Sequence, residues 1–361
     1  MQWLQHKAKV WKVVDDASPF FMSVTKIVNS WKRDFVQHGV KDELVADYIE
    51  YLKPLVKKGV PVIFDFKHLC LLLGKNTFYL ASLINASASH YREFVIPKRR
   101  GGQRTISAPY PALLDCQQWI YQHILSKVPI HPSAHGFAAR KSIITNAQVH
   151  VGKKYFLKID IKDFFPSITI NQVITVFKNL GYTHKVSFYL ASICCYEKVL
   201  PQGAPTSPML SNIIANSMDN RLARLARKFK LSYTRYADDL AFSGNSITVK
   251  HLHYITGIIQ ECGFTVNISK TMLQQKKNKR ILTGISIAEE QIKIPREYKR
   301  KLKMEIHCIR KYGIVMHIRN QRIKNPKHLS TIIGRIQFWL SVEPENDFAK
   351  KALAELNRLP H

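Results

Sequence analysis

Two adjacent carboxylates, Asp238 and Asp239, sit in Tyr236-Ala-Asp-Asp239 between two β-prone runs, Leu231–Arg235 and Leu240–Ser243. That order reads as strand, two-residue turn and strand, with the acids at the tip. Carboxylates fixed on one short hairpin cannot relax away from each other, so the pair is suited to hold divalent metal. A third acid, Asp160, ends the apolar run Tyr155-Phe-Leu-Lys-Ile-Asp160. With that run as a neighbouring strand, three carboxylates meet across one sheet and can share two Mg²⁺ ions. Magnesium takes oxygen ligands and keeps positions for water and phosphate. One ion lowers the pKa of an attacking hydroxyl and the other neutralises a leaving pyrophosphate, the pattern of nucleotidyl transfer. Taken alone, an Asp-Asp pair is equally an ordinary turn, because aspartate tolerates turn conformations.

The elements that position these acids follow from local pattern. Phe94–Ile106 places two apolar runs around a basic glycine turn, a hairpin carrying Lys98, Arg99, Arg100 and Arg104. Pro111–Lys127 has helical spacing at Leu113, Cys116, Ile120 and Ile124. Ser207-Pro208 is a helix start, an N-cap followed by proline, with Leu210, Ile213, Ile214, Met218, Leu222 and Leu225 on one face. Residues 249–262 form a further helix stopped by Gly263, and Phe264–Asn267, Ile281–Ile287 and Ile292–Ile294 read as strands. From Pro295 onward the chain is helical and basic around the stripe Tyr298, Leu302, Ile306 and Ile309. Residues up to about 90 are mostly helical, with Leu69, Leu72 and Leu73 before Gly74. Strands and helices therefore mix in the middle, between helical ends.

Charge bounds the partners. The 361 residues suffice for two or three compact units. Lys and Arg number 55 against 25 Asp and Glu, a net charge of +30. That excess repels itself in a compact fold and calls for a polyanion: nucleic acid first, an anionic membrane surface second. No apolar run reaches the roughly 20 residues that span a bilayer. Lys9, Lys12, Asp15 and Asp16 stand where a signal peptide needs an apolar block. A cytoplasmic protein that does not enter a membrane is expected. The six cysteines show no Cys-x-x-Cys spacing, and only Cys194 and Cys195 are adjacent. That argues against a zinc site or disulfide framework and for reduced thiols used as small core residues.

Across roughly residues 90–290 the chain resembles the reverse transcriptase family. Tyr236–Asp239 looks like the catalytic box of the palm, and Asp160 like its first catalytic aspartate. Leu200-Pro-Gln-Gly-Ala-Pro-Thr-Ser-Pro208 resembles the loop and helix start that face template and incoming nucleotide, and Phe94–Ile106 the fingers hairpin. The resemblance implies an α+β right-hand polymerase. Residues 1–90 would be a helical N-terminal extension, 91–290 the fingers and palm, and 291–361 a basic, helical, RNA-binding thumb. Phe165 falls where the family places a ring that excludes a sugar 2′-hydroxyl; a core phenylalanine beside Phe164 competes with that role. Gln202 and Gly203 match the floor under the nascent base pair, where glycine permits close backbone approach. Lys98 and Arg104 match cations that grip the triphosphate. Arg99 and Arg100 touch template phosphates or only solvent. Lys270 matches a lysine that assists pyrophosphate departure, against the alternative of a solvated lysine.

Two further motifs narrow the subfamily. Asn146-Ala-Gln-Val-His150 resembles the Asn-Ala-x-x-His signature of retron reverse transcriptases, and Leu282-Thr-Gly284 their Val-Thr-Gly, with leucine for valine. Ile193-Cys-Cys-Tyr196 and Asp163-Phe-Phe-Pro-Ser167 also look like retron sequence. The resemblance implies RNA-directed synthesis of branched multicopy single-stranded DNA from the retron's own structured noncoding RNA. Its other implications are priming from an RNA 2′-hydroxyl, deoxynucleoside triphosphate substrates, an effector protein as partner, and a place in antiphage defence. Asn146, His150, Thr283 and Gly284 are expected to contact RNA; a polar helix end with His150 satisfied by a backbone carbonyl is the plainer reading. Lys299, Arg300, Lys303 and Arg310 are the expected thumb contacts, since RNA duplexes are read through shape, phosphates and 2′-hydroxyls. Phe338 and Trp339 are expected in the core. The first sixty residues are a brace on the fingers or a docking surface for the effector or a second copy. The stretch after the palm is too short for an RNase H domain. Three alternatives stay open: a group II intron or abortive-infection reverse transcriptase, a non-catalytic RNA-binding scaffold, and a palm-type nucleotide cyclase.

Overall fold

The computed structural model describes residues 24–98, 101–275, 280–288 and 290–359. Arg99 and Arg100 lie outside the described residues, as does the start of the expected N-terminal extension. The chain divides into two compact units, each gathered from separate stretches.

The first unit holds residues up to His131 with Asp163–Asn220 and Cys262–Phe264. Helices Val24–Gln37 and Asp42–Lys57 bury Trp31, Phe35, Leu52 and Leu55. The ring of Phe64 closes this cluster, 5.6 Å from Trp31 and 5.4 Å from Tyr48. Helix Phe66–Leu73 is punctuated at both ends: Asp65 accepts the His68 N–H at 2.8 Å, and Gly74 takes φ 64° just past the last turn. Helix Thr77–Asn85 leads to an antiparallel hairpin of β1 (Tyr91–Pro97) and β2 (Gln103–Pro109). Helices Pro111–His123, Ile170–Leu180 and His184–Cys194 complete the helical layer. The apolar face expected on one helix from Ser207 is split between Ser207–Ile214 and Asn216–Lys228, with Thr206 preceding the first helical residue.

The second unit is built on a four-stranded antiparallel sheet in the order β4-β5-β3-β6. Its strands are β3 (Tyr155–Lys162), β4 (Ser232–Tyr236), β5 (Asp239–Gly244) and β6 (Thr265–Gln275). β3 and β5 are central and largely buried, whereas β6 is an exposed edge. β6 runs eleven residues, past the four read from the sequence. An edge strand with few buried positions gives no apolar alternation to read; its length is set by pairing with β3. A second, small sheet holds β7 (Ile281–Leu282), β8 (Ile285–Ile287) and β9 (Ile292–Lys293). The single strand expected over Ile281–Ile287 is broken by a turn at Thr283 (φ 46°) and Gly284 (φ 89°).

Helices Arg296–Asn320, His328–Val342 and Asp347–Leu356 end the chain. Leu302, Ile306 and Ile309 form the buried stripe of the first, packed with Ile332, Ile336, Trp339 and Leu356. Each such side chain contributes about 1.5–3 kcal/mol when fully buried. The first of these helices kinks at Gly313 (φ 78°, ψ 159°). Trp339 is fully in the core and Phe338 packs partly buried against it. All six cysteines are free, and Cys70, Cys116, Cys194 and Cys195 are buried. Among the described residues no helix is long and apolar enough to cross a membrane.

Candidate active site

Tyr236 pairs with Asp239 across the β4–β5 hairpin, so the loop is Ala237-Asp238. Ala237 carries the left-handed conformation the tight turn needs, at φ 53°. Asp239 is therefore the first residue of β5 rather than part of the tip. It stands directly opposite Asp160 on β3. Opposed residues on one face have Cβ atoms about 4.5–5.5 Å apart. The Ile161 N–H donates to the Asp238 carbonyl at 2.9 Å, which ties the turn to β3. The fold thus brings Asp160, Asp238 and Asp239 to one end of one sheet.

The cluster is sheltered and its charge is partly compensated. Asp160 is buried, with Lys270 Nζ at 3.1 Å from both carboxylate oxygens and Asn267 Nδ2 at 3.2 Å from Oδ2. Lys158 Nζ lies 2.9 Å from Asp239 Oδ1. The Asp238 carboxyl is pushed up to about 6. Burial is the main cause and the Asp239 charge the next; Asp160 adds to it, while a backbone hydrogen bond and Lys270 oppose it. Among the described residues no three His, Cys, Asp or Glu side chains already surround one point as metal ligands. The donor set nevertheless fits a hard divalent cation: three acids, all oxygen, mutually repelling, with ammonium groups drawn to two of them.

The hairpin is braced from behind. Buried Arg235 donates through Nη1 to the Ala237 carbonyl at 3.3 Å. The His135 N–H donates to the Arg235 carbonyl at 2.7 Å, and the Arg235 N–H to Ser133 at 2.8 Å. A Cβ on Gly136 would stand 2.7 Å from the Ala237 nitrogen, so only glycine fits under the turn. This Ser133–Phe137 support was not singled out from sequence; the lone glycine between His135 and Phe137 was its one signal.

His150 and Asn146 require a correction. Both are fully buried, so neither can touch RNA directly. The His150 ring bonds Ser243 Oγ on β5 and Thr234 Oγ1 on β4, each at 2.7 Å. Ser243 is four residues from Asp239 on the same face, about 13 Å along the strand. His150 therefore fastens the two strands of the acid hairpin at their far end, bonded to side-chain hydroxyls and not to a backbone carbonyl. Burial, assisted by His135 and Lys153, pushes it down to about 3, so it is neutral. Asn146 is enclosed because helix Ile143–Gln148 lays this side against the sheets.

The other expected site residues are distributed as follows. Lys98 and Arg104 are exposed on the β1–β2 hairpin. Phe165 is half-buried, its ring 5.6 Å from that of Phe164. The Gln202 carbonyl accepts the Ser107 N–H at 2.8 Å. Gly203 has φ 132°, and a Cβ there would sit 2.7 Å from the Ser107 carbonyl, so its close approach is to β2. Thr283 is half-buried and Gly284 exposed in the β7–β8 turn. Arg300 is exposed. Lys299 pairs with Glu343 at 2.7 Å, Arg310 pairs with Glu355 at 2.7 Å, and Lys303 lies over the Phe348 ring at 4.6 Å.

Comparison with known proteins decides the family. Residues 96–287 match the family described as reverse transcriptase (RNA-dependent DNA polymerase). The chain is 36% identical over 314 residues to the retron Ec86 reverse transcriptase of Escherichia coli, covering 83% of this chain and 98% of that one. The chain belongs to the retron reverse transcriptases. It is 38% identical over 240 residues to the retron Mx65 reverse transcriptase of Myxococcus xanthus, covering 60% of this chain and 56% of that one. As a retron reverse transcriptase it is an RNA-directed DNA polymerase with RNA and DNA as partners, and its α+β architecture is the polymerase fold. Divalent metal is the family's general requirement.

Proposed function

We propose that this enzyme copies its own structured noncoding RNA into branched multicopy single-stranded DNA, starting from an RNA 2′-hydroxyl and adding deoxynucleotides with two Mg²⁺ ions. The observation that carries the chemistry is the direct opposition of Asp160 and Asp239, with Asp238 in the adjoining turn. Bound there, the ions would acidify the primer hydroxyl and neutralise the leaving pyrophosphate. The chain's own residues do the rest. Asp160, Asp238 and Asp239 hold the ions in a fixed frame. Lys98 and Arg104 grip the triphosphate, Phe165 excludes a sugar 2′-hydroxyl, Gln202 and Gly203 shape the base-pair floor, and Lys270 meets the departing pyrophosphate.

The specific retron reaction is supported by 36% identity over nearly the whole of a retron enzyme. In this reading residues 1–90 are an N-terminal extension, 91–290 the fingers and palm, and 291–361 the RNA-binding thumb. Thr283, Gly284, Arg300, Lys303 and Arg310 contact the RNA, while Lys299, first expected among them, is taken up by its pair with Glu343. The enzyme works in the cytoplasm, beside an effector protein, in defence against phage. The test is the nucleic acid that travels with the purified protein. DNA joined to RNA through a 2′ linkage is the expected finding. Linear DNA alone, or intron RNA, points instead to another reverse transcriptase branch.

A further inference from the structure

Lys158 is unused by the reaction as described, yet it is built into the acid cluster. It precedes Asp160 by two residues on β3, so both side chains leave the same face of the sheet. Its cross-strand partner on β5 is Ala241, whose methyl leaves the lysine stem room to run diagonally. Diagonal neighbours of this kind lie within reach of a long side chain. The ammonium arrives 2.9 Å from Asp239 Oδ1, and each member of the pair keeps 21% of its side-chain surface exposed. Lys270 is different: it bonds Asp160 from the edge strand and is 56% exposed. One lysine is enclosed by the central strands, the other hangs from the rim.

The consequence is electrostatic. Asp160 and Asp239 face each other as like charges, which is destabilising for opposed residues. A cation fixed beside Asp239 offsets that repulsion and holds the carboxylate in one orientation. The same contact competes with any metal ion for the same oxygen.

We propose that Lys158 is a built-in counter-cation that positions Asp239 before metal arrives and must release it when a divalent ion is taken up. It thereby sets the metal concentration at which the site loads. This rests on the reading of the three acids as metal ligands. Lys158 is a positioning residue, acting through Asp239.

The test is Mn²⁺ titration of the full chain without nucleotide, with free Mn²⁺ read by electron paramagnetic resonance. Lys158→Met keeps the stem and removes the charge, and is expected to tighten Mn²⁺ binding about fivefold, the scale of one partly exposed ion pair. Lys158→Arg keeps the charge and is expected to restore the wild-type value. Lys158→Gln repeats the neutral variant should the methionine form not fold. Mn²⁺ binding that is unchanged or weaker in the neutral variants overturns the proposal. Asp239→Asn separates the two claims: if it binds Mn²⁺ as well as the wild type, the metal-ligand reading fails, whatever Lys158 does.

Discussion

At the scale of single residues, the same sheet face carries two opposite solutions to burying polarity. At one end three acids meet, and burial first, then the neighbouring Asp239 and Asp160 charges, push the Asp238 carboxyl up to about 6. Farther along the same strands His150 is buried with both ring nitrogens satisfied by hydroxyls. A histidine kept neutral by burial ties stability to pH. His150 is pushed down to about 3, and His68 and His135 to about 4. Their unfolded values lie near 6.5. Between those limits the unfolded chain binds more protons than the fold. The stability is therefore complete above about 6.5 and is lost as pH falls towards the folded values. One such histidine costs about 2 kcal/mol by pH 5. Urea midpoints at pH 7.5 and pH 5 should show the loss, and His150→Gln should reduce it; a flat profile in the wild type contradicts it. That Asp160, Asp238 and Asp239 meet at one end of one sheet was legible in the sequence, because strand-like runs flank each of them. Asn146 and His150 were legible as a motif but misread as RNA contacts, since a motif match does not say whether its side chains face solvent or the sheets.

At the scale of elements, the acid hairpin is positioned by a loop that pairs with it as an extra strand-like segment, through Ala134 and Arg235. Gly136 is its closest point, where any Cβ would collide with the Ala237 nitrogen at 2.7 Å. Gly136→Ala should therefore displace the turn that carries Asp238. A shift on the order of 1 Å at reacting groups costs about a hundredfold. The expected result is a fall in kcat of that size with little change in RNA affinity, measured by steady-state extension; full kcat would show that the turn is placed by β3 alone. Elements with a run of apolar residues or clear punctuation, such as Tyr155–Lys162 and Phe66–Leu73, were readable in advance. The Thr283-Gly284 turn was not, because isoleucines on both sides continue the apolar pattern across it. The break at Ala215 was hidden for the same reason: the apolar face runs on through it.

At the scale of the whole molecule, a net charge of +30 predicts binding that is strongly salt-dependent. On the basic helix Arg296–Asn320, Arg300 is exposed to meet phosphates, whereas Lys299 is held by Glu343 and Lys303 lies over the Phe348 ring. Arg300→Ala should weaken RNA binding across sequences and lower the slope of log affinity against log salt by about one. Lys299→Ala should instead lower stability, because it removes the partner of a Glu343 carboxylate that also accepts the Ile294 N–H. Filter binding over a salt series, with thermal melts of both variants, distinguishes them; the reverse pattern contradicts the assignment. Charge was legible from composition alone. The two units were not, since each gathers stretches far apart in the chain, an arrangement no boundary read along a sequence can express.

The polymerase chemistry falls to Asp160, Asp238 and Asp239, and primer extension on an RNA template with Mg²⁺ tests it by comparing the wild type with Asp160→Asn, Asp238→Asn and Asp239→Asn. DNA from the wild type and none from each variant, with RNA binding intact in all four, is the predicted result. Wild-type synthesis by any one of the variants would contradict it.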